Sequence, residues 1–272
     1  MINPYIFREY DIRGIVENDF SSEVVINLGK SYGTCIKRLG GKDIALSGDV
    51  RDTTPRLMQN FMDGLLQVGI NVHDMGIATT PANYFSMFHL EVDGSVQITG
   101  SHNPPEFNGF KLSFNKAAFY GEQIQEMKRI IQDDDYEIGQ GTLSKVDIMS
   151  PYHSMLKSKI KLERPLKAVI DCGNAAACLS APKIFPSLGI ETYELYSEID
   201  ASFPNHHPDP TDDQNLKALI DQVQSGNYDF GVAFDGDADR VVAIDEKGEI
   251  IRSDILICLF LPEMIQNIDD PI

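Results

Sequence analysis

The stretch DFGVAFDGDADRVVAID, residues 229–245, sets the fold of the second half of the chain. It predicts two apolar strands joined by a loop that carries Asp235, Asp237 and Asp239. The small residues between these aspartates allow all three carboxylates to turn toward one hard cation, and oxygen ligands suit Mg²⁺ or Ca²⁺. Because three uncompensated carboxylates would repel one another, the loop indicates a metal site rather than a solvated acidic turn.

Two other kinds of site fit parts of this loop. An EF-hand would use the three aspartates and Glu246, but its sixth position, which must be glycine, is Arg240. A phosphatase of the haloacid dehalogenase type has a D-x-D after an apolar strand, as Asp235 and Asp237 provide. A helix should follow that motif, whereas a second strand follows here. Both alternatives therefore fit less well than a Mg²⁺ loop.

Outward from this loop, predicted strands and helices alternate along the chain. Short apolar runs indicate strands, and apolar residues at helical spacing indicate helices. Thr54-Pro55 and Thr80-Pro81 open helices with proline at the first helical position. The predicted strands are 43–47, 70–75, 94–99, 109–114, 166–171, one from 190, 229–234 and 240–245; the predicted helices are 21–39, 54–68, 80–89, 121–132, 147–162, one ending near 188, 212–225 and 253–267. This order predicts the α/β class, with two related domains, each a mixed β-sheet sandwiched by helices.

The domain boundary is predicted near residue 146. The periodic pattern dissolves over 133–144 into Asp-Asp-Asp, Gly-x-Gly and Thr/Ser, which is typical of a solvated linker. Residues 1–146 and 147–252 then form the two domains. The similar order of predicted strands and helices in the two suggests a duplication. Residues 253–272 hold one further helix, interpreted as the start of a third domain that the chain does not complete.

Composition excludes several classes of function. Among 272 residues, 23 are Lys or Arg and 41 are Asp or Glu, so the net charge of −18 repels nucleic acid and anionic membranes. An anionic substrate would need a locally positive site. The longest apolar run, 255–261, is too short to span a bilayer, and residues 1–20 lack the apolar core of a signal peptide. Four cysteines without CxxC spacing suggest reduced thiols and a cytoplasmic protein.

A second motif, TGSHNPP at 99–105 followed by NGFK at 108–111, places Ser101 at the end of a predicted strand. It is not the G-x-S-x-G nucleophile elbow, because Asn103 replaces the second glycine. A serine hydroxyl needs a base or a metal to act as a nucleophile. We therefore expect Ser101 to bear a phosphoryl group opposite Mg²⁺ in the aspartate-rich loop. Basic residues in these motifs would supply the positive field: Arg8, Arg13, Lys111 and Arg240.

These motifs resemble the α-D-phosphohexomutases, specifically the bacterial phosphomannomutase/phosphoglucomutase branch. The matching segments occur in the family's order and are spread over nearly the whole chain: FREYDIRG (7–14), TGSHNPP (99–105) with NGFK (108–111), DCGN (171–174), FPNHHPDP (203–210) and DGDADR (235–240). The resemblance implies a Mg²⁺-dependent enzyme that interconverts hexose 1-phosphate and 6-phosphate, with hexose 1,6-bisphosphate as activator. Its partner would be a small phosphosugar; the sequence does not determine an oligomeric state.

The resemblance also assigns roles to residues. Ser101 resembles the phosphoserine that exchanges its phosphoryl group with a bound, bisphosphorylated sugar. A phosphoserine oxygen would complete the Mg²⁺ ligands. The remaining assignments are Asp235, Asp237 and Asp239 as metal ligands, Arg13 and Lys111 beside the phosphoserine, His102 and Arg240 near the reacting hydroxyl, and Tyr10 lining the cleft. His206 and His207 lie in a family motif, but their spacing favours a structural part in that loop.

Two departures from the family pattern matter. The family's G-R-D-x-R run reads SGDVR here, residues 47–51, so one arginine is missing at a position interpreted as peripheral. Family members have four domains, and the chain resembles the first two with the opening helix of the third. We therefore expect low mutase turnover from this chain alone.

The Thr-Gly-Ser sequence at 99–101 favours mannose and glucose phosphates as substrates. The alternatives are the phosphoglucosamine branch, a phosphatase-like protein, or a phosphosugar-binding protein without turnover.

Overall fold

The computed structural model describes residues 2–266 and contains two β-sheets, each covered by helices on both faces. The predicted α/β class with mixed sheets is thus confirmed. Met1 and residues 267–272 lie outside the described residues, including Asn267, the predicted end of the last helix. None of the helices within residues 2–266 combines the length and apolarity that a bilayer-spanning segment requires.

The first sheet has the strand order β1-β5-β4-β2-β3-β7, with β6 paired to β5. Strands β4, β2, β3 and β7 are parallel to one another, and β5 runs antiparallel to both β4 and β1. The strands are β1 (Ile12–Ile15), β2 (Asp43–Gly48), β3 (Asn71–Ile77), β4 (Gly94–Ile98), β5 (Phe107–Phe114), β6 (Ala117–Ala118) and β7 (Leu143–Lys145). The helices of this half are α1 (Val16–Asp19), α2 (Ser22–Arg38), α3 (Thr54–Gln67), α4 (Thr80–His89) and α5 (Glu122–Asp133).

The second sheet has the strand order β12-β11-β10-β8-β9. Its strands are β8 (Leu166–Asp171), β9 (Ile190–Leu195), β10 (Phe230–Phe234), β11 (Val241–Asp245) and β12 (Ile250–Ile251). The helices are α6 (Met149–Lys159), α7 (Ala181–Ser187), α8 (Lys217–Ser225) and α9 (Ser253–Gln266). Strands β10, β8 and β9 are parallel, whereas β11 is antiparallel to both β10 and β12. The spatial series β12-β11-β10-β8-β9 therefore resembles β1-β5-β4-β2-β3 in its parallel and antiparallel neighbours, although β1 comes first in the chain order of its sheet and β12 comes last.

Helices pack on both faces because each sheet buries apolar side chains on both sides. In the first sheet, α2, α3 and α5 cover one face, and Phe61 of α3 stacks against Phe110 of β5 at 5.1 Å between ring centroids. Helices α4 and α6 cover the other face around Ala82 and Tyr152. In the second sheet, α8 packs on one face through Leu219, and α7 on the opposite face.

The segment after α5 differs from the predicted solvated linker. Backbone bonds tie it to the first half: Gly139 N and Gly141 N donate to carbonyls 67 and 66 at 3.1 and 2.9 Å. The following β7 pairs with β3 as an edge strand. Close approach explains the glycines, because a Cβ on Gly141 would lie 1.9 Å from the Ile70 carbonyl oxygen. The linker interpretation was therefore wrong for these residues, while the boundary near 146 stays a prediction.

Candidate active site

Ser101 lies on the serine loop, residues 99–107, which follows β4. Its backbone is left-handed, with φ at +50°, and the residue is 1% exposed. Its amide donates to Thr99 Oγ1 at 2.7 Å. Its hydroxyl donates to Asp235 Oδ2 at 2.9 Å and lies 3.3 Å from His102 Nδ1. The structure therefore joins the two motifs that were singled out separately in the sequence.

The aspartate loop, residues 235–240, follows β10. Asp235 and Asp237 are buried, and Asp239 lies at the solvent edge. Asp235 Oδ1 accepts from the amides of Asp239 and Arg240 at 3.1 and 3.0 Å, which closes the loop on itself. Gly236 is needed because a Cβ there would lie 2.3 Å from the Ser101 carbonyl oxygen. The two loops thus touch through their backbones.

Two side chains from the first half of the chain reach across to Asp237. Thr80 Oγ1, at the start of α4, donates to Asp237 Oδ2 at 2.6 Å. Lys111 Nζ, on β5, lies 2.6 Å from both Asp237 Oδ2 and Asp239 Oδ2. Lys111 was expected beside a phosphoserine; here its ammonium neutralises two of the carboxylates.

Burial and the close approach of the charged groups shift the pKa values of the aspartates and of Lys111. Burial, followed by the charges of Asp237 and Asp239, raises the pKa of Asp235 to about 8. Burial alone would raise the pKa of Asp237, but the charge and hydrogen bond of Lys111 and the hydrogen bond of Thr80 lower it below its usual range. Burial opposes the charged form of Lys111 less than the two aspartates favour it, so the pKa of Lys111 is raised.

The three aspartates fit a hard divalent cation. One oxygen or more from each lies in a set whose members are all within 4.8 Å of one another. Asp237 Oδ1 is buried and has no hydrogen-bond partner, although a buried charged oxygen without a partner is costly. An all-oxygen set with one unsatisfied member is the donor chemistry that Mg²⁺ takes. The residues present therefore suit the ion that the sequence predicts.

The arginines and His102 lie at different depths around the serine loop. Arg13 is 7% exposed, pairs with Asp11 Oδ2 at 2.6 Å and donates from Nη1 to the Gly100 carbonyl at 3.3 Å, while its Nε has no partner. Arg240 is exposed. Burial, then the positive charges of Arg240 and Arg13, lowers the pKa of His102. Its imidazole is therefore neutral near pH 7.

Tyr10 is exposed and stacks on Tyr120, with ring centroids 6.2 Å apart. Arg8 is also exposed, on the same N-terminal segment. Neither side chain hydrogen-bonds to Ser101 or to the aspartate loop within the described residues.

His206 and His207 occupy a loop, as expected, and one of them reaches the site. His206 Nε2 lies 3.0 Å from Asp171 Oδ2. Burial lowers the pKa of His206, but the hydrogen bond and charge of Asp171 more than offset it, so the pKa is raised. The His207 ring donates from Nε2 to the His102 carbonyl oxygen. His207 therefore links the second half of the chain to the serine loop.

Sequence reasoning missed three residues that hold the two loops. Asp49 and Arg51 are buried beneath the serine loop, and Thr80 holds Asp237. Asp49 and Arg51 belong to the SGDVR run, which was considered only for its missing arginine. The available signal was a pair of opposite charges directly after a buried strand, where burial requires that they pair.

Profiles of known protein families match most of the chain. Residues 4–137 match the profile described as phosphoglucomutase/phosphomannomutase, alpha/beta/alpha domain I, and residues 150–248 match that of domain II. The chain belongs to the α-D-phosphohexomutase family. Its similarity to the N-terminal domains of that family was predicted from the motifs and is confirmed.

Relatives in this family extend beyond the chain. It is 39% identical over 262 residues to a phosphomannomutase/phosphoglucomutase from Pseudomonas aeruginosa and 40% identical over 264 residues to a phosphoglucomutase from Neisseria gonorrhoeae. In both cases the alignment spans 96% of this chain but 57% of the relative. The crystal structure of a phosphoglucomutase/phosphomannomutase family protein from Burkholderia thailandensis superposes with a TM-score of 0.95 at 38% identity, covering 98% of this chain and 60% of that one.

The departure from the phosphohexomutase run G-R-D-x-R has a steric reason in this chain. Gly48 stands where the family has arginine. A Cβ at Gly48 would lie 2.2 Å from Thr54 Cγ2 and 2.9 Å from Met58 Sδ, both on α3. A side chain there therefore requires the Thr54 and Met58 side chains to move. The aspartate and second arginine of the run are retained as Asp49 and Arg51.

Proposed function

We propose that this chain carries the phosphoserine and metal loops of a phosphohexomutase that interconverts hexose 1-phosphate and 6-phosphate. One observation carries the proposal: Ser101 Oγ lies 2.9 Å from Asp235 Oδ2, beside a cluster whose buried Asp237 Oδ1 has no partner. The hydroxyl of a serine that only forms a turn bonds within its own turn, as that of Ser202 does to Asp200, whereas Ser101 donates to a carboxylate of another loop. A phosphorylated serine at this place has a cation site within reach of its oxygens.

In the proposed reaction, the phosphoryl group moves between Ser101 and a hexose hydroxyl. The P–O bond to Ser101 breaks as a P–O bond to the sugar forms, and the hydroxyl proton ends on the serine oxygen. His102 Nδ1, 3.3 Å from Ser101 Oγ, is placed to carry that proton, and its lowered pKa keeps it in the basic form. A second transfer in the opposite direction, from the other phosphate of the bisphosphorylated sugar, regenerates phosphoserine.

Mg²⁺ bound by Asp235, Asp237 and Asp239 would neutralise negative charge on the transferred group. Arg13, whose Nη1 donates to the Gly100 carbonyl and whose Nε has no partner, would bind a phosphate oxygen. Lys111 would stay near the phosphoserine. For the remaining assignments we propose that Arg240 orients the reacting hydroxyl and that Tyr10 lines the cleft. These contacts would oppose the repulsion that the net charge of −18 imposes on an anionic sugar.

We further propose mannose and glucose phosphates as substrates, hexose 1,6-bisphosphate as activator, and the cytoplasm as location. The relatives named above support the substrate class, since their names are those of phosphomannomutases and phosphoglucomutases. We keep residues 1–146 and 147–252 as the two domains and 253–272 as the start of a third. The phosphoglucosamine branch stays the alternative substrate class.

Mass spectrometry tests the proposal. The purified chain is incubated with glucose 1,6-bisphosphate and Mg²⁺, and we expect one added phosphate, located on Ser101 by fragmentation. Ser101→Ala should take up none. An unmodified Ser101 after this treatment would overturn the phosphoserine mechanism. Phosphate release to water without isomerisation would instead favour the phosphatase-like alternative.

A further inference from the structure

A buried ion pair lies directly beneath the serine loop. Arg51 Nε is 3.2 Å from Asp49 Oδ2, and both side chains are 2% exposed. Burial of two charges costs free energy unless hydrogen bonds satisfy their other polar atoms. In this pair those bonds go mainly to the serine loop.

Arg51 holds the middle and the end of the loop. Its two terminal nitrogens donate to four backbone carbonyls, and together with the bond to Asp49 all five guanidinium N–H groups are used. The four acceptors are the carbonyls of Ser101 at 2.8 Å, Asn103 at 2.6 Å, Pro104 at 2.7 Å and Phe107 at 3.1 Å. A lysine ammonium carries its three donors on one atom and cannot reach all four carbonyls.

Asp49 holds the start of the same loop. Its Oδ2 accepts from Thr99 Oγ1 at 2.8 Å and from the Gly100 amide at 3.1 Å. Thr99 Oγ1 in turn accepts from the Ser101 amide. The contact is so close that a Cβ on Gly100 would lie 2.4 Å from Arg51 Cζ. Thr99 and Gly100 therefore hydrogen-bond directly to Asp49, and the Ser101 amide is linked to it through the Thr99 hydroxyl.

Ser101 needs such support because its φ of +50° is unfavourable for a residue with a side chain. Such a conformation persists where the surroundings over-determine it. The guanidinium also lies 5.4 Å from the ring centroid of Phe203, which belongs to the second half of the chain. Arg51 thus contacts both the serine loop and the half that carries the aspartate loop.

We propose that Arg51, held by Asp49, is a positioning residue that fixes the Ser101 hydroxyl toward the aspartate loop for phosphoryl transfer. The inference rests on the proposed function of Ser101. Arg51 hydrogen-bonds to backbone carbonyls of the serine loop, that of Ser101 included, and not to the Ser101 hydroxyl or the carboxylates of the aspartate loop, so it acts through the backbone. A loss of about 1 Å in placement of a reacting group costs roughly 100-fold in rate.

The test follows single-turnover phosphorylation of Ser101 by glucose 1,6-bisphosphate with Mg²⁺, using intact-mass spectrometry over time. Arg51→Lys keeps the charge, and we expect its rate constant to fall about 100-fold while the fraction of chains finally phosphorylated stays near that of the wild type. The matched control is Arg56→Lys, also after β2, whose guanidinium donates to the Phe20 carbonyl away from the loop. It should react as the wild type does.

Rescue separates positioning from simple packing. In Arg51→Ala, added guanidinium ion should restore part of the rate constant, whereas ammonium ion should not. A wild-type rate constant in Arg51→Lys, even with a smaller reactive fraction, would overturn the inference, because that pattern shows lost folding without lost positioning. If Arg51→Lys does not fold, Thr99→Val removes the hydroxyl that joins Asp49 to Ser101, and the same fall in rate constant is expected.

Hydrogen–deuterium exchange keeps the two proposals distinguishable. In Arg51→Lys, the peptide covering 99–107 should exchange faster than in the wild type, while peptides from α8 should not change. If wild-type Ser101 takes up no phosphate, the proposed function fails, yet faster exchange would still support the part of Arg51 in holding the loop. Unchanged exchange in that peptide would overturn it whatever the activity.

Discussion

Replacing Thr80 with valine removes a hydroxyl donor from the buried carboxylate of Asp237. The bond is 2.6 Å long, and the other oxygen of Asp237 already lacks a partner. A hydrogen bond to a charged group contributes about 1.5–3 kcal/mol to stability. We therefore expect Thr80→Val to lower the free energy of unfolding by about 1.5–3 kcal/mol.

A double-mutant cycle isolates this interaction from the other contacts of both residues. Thr80→Val, Asp237→Ala and the double variant are unfolded in urea, and unfolding is followed by far-ultraviolet circular dichroism, since the chain has no tryptophan. The coupling free energy should be about 1.5 kcal/mol or more. Ser86→Ala, which removes a buried hydroxyl from the same helix away from the loops, should show no coupling to Asp237→Ala. A Thr80–Asp237 coupling under about 0.5 kcal/mol would refute the reasoning.

Three further changes test the contact between the loops and its electrostatics. Gly236→Ala forces a Cβ against the Ser101 carbonyl oxygen, so it should destabilise the chain by about 1–3 kcal/mol and weaken Mg²⁺ binding in calorimetry. Lys111→Met leaves the carboxylates of Asp237 and Asp239 without their positive partner. Without Mg²⁺ the variant should therefore have a lower melting temperature than the wild type, and saturating Mg²⁺ should reduce that difference in melting temperature. The pKa of His206 is higher in the folded chain than the value of about 6.5 in the unfolded chain, so its bond to Asp171 stabilises the fold fully below pH about 6.5. This stabilisation is lost as the pH rises through the pKa of the folded state. Asp171→Asn should thus lose more stability in urea at acidic than at alkaline pH, and a pH-independent loss would contradict this.

The two loops could be singled out from the sequence because their signals are local. DGDADR after an apolar strand and TGSHNPP after another can be identified without knowledge of the fold. That they meet at one site was expected from the resemblance and is found in the contact of Ser101 with Asp235. The longer strands and helices were also predicted within a few residues, since their apolar periodicity is strong, whereas the short elements α1, β6 and β12 were not predicted.

The contacts that could not be predicted join residues that are far apart in the sequence. Thr80 and Asp237 are 157 residues apart, and nothing near either residue marks the other. Strand β7 was taken for a linker because its residues are exposed and polar in part, and only pairing with β3 defines it. The importance of Arg51 is likewise set by four carbonyl groups that the backbone of a distant loop turns toward it.

Sheet topology explains why these particular loops meet. In the first sheet β2 lies between β3, which follows it in sequence, and β4, which comes later, so the strand order reverses between β2 and β4. The second sheet reverses in the same way between β8 and β10. Ligands of open α/β sheets bind beyond the carboxyl ends of strands at such a switch point. The loops after β2 and β4 carry Arg51 and Ser101, and the loop after β10 carries the aspartates. Each sheet therefore offers its own switch point, and the candidate site forms where the two face each other.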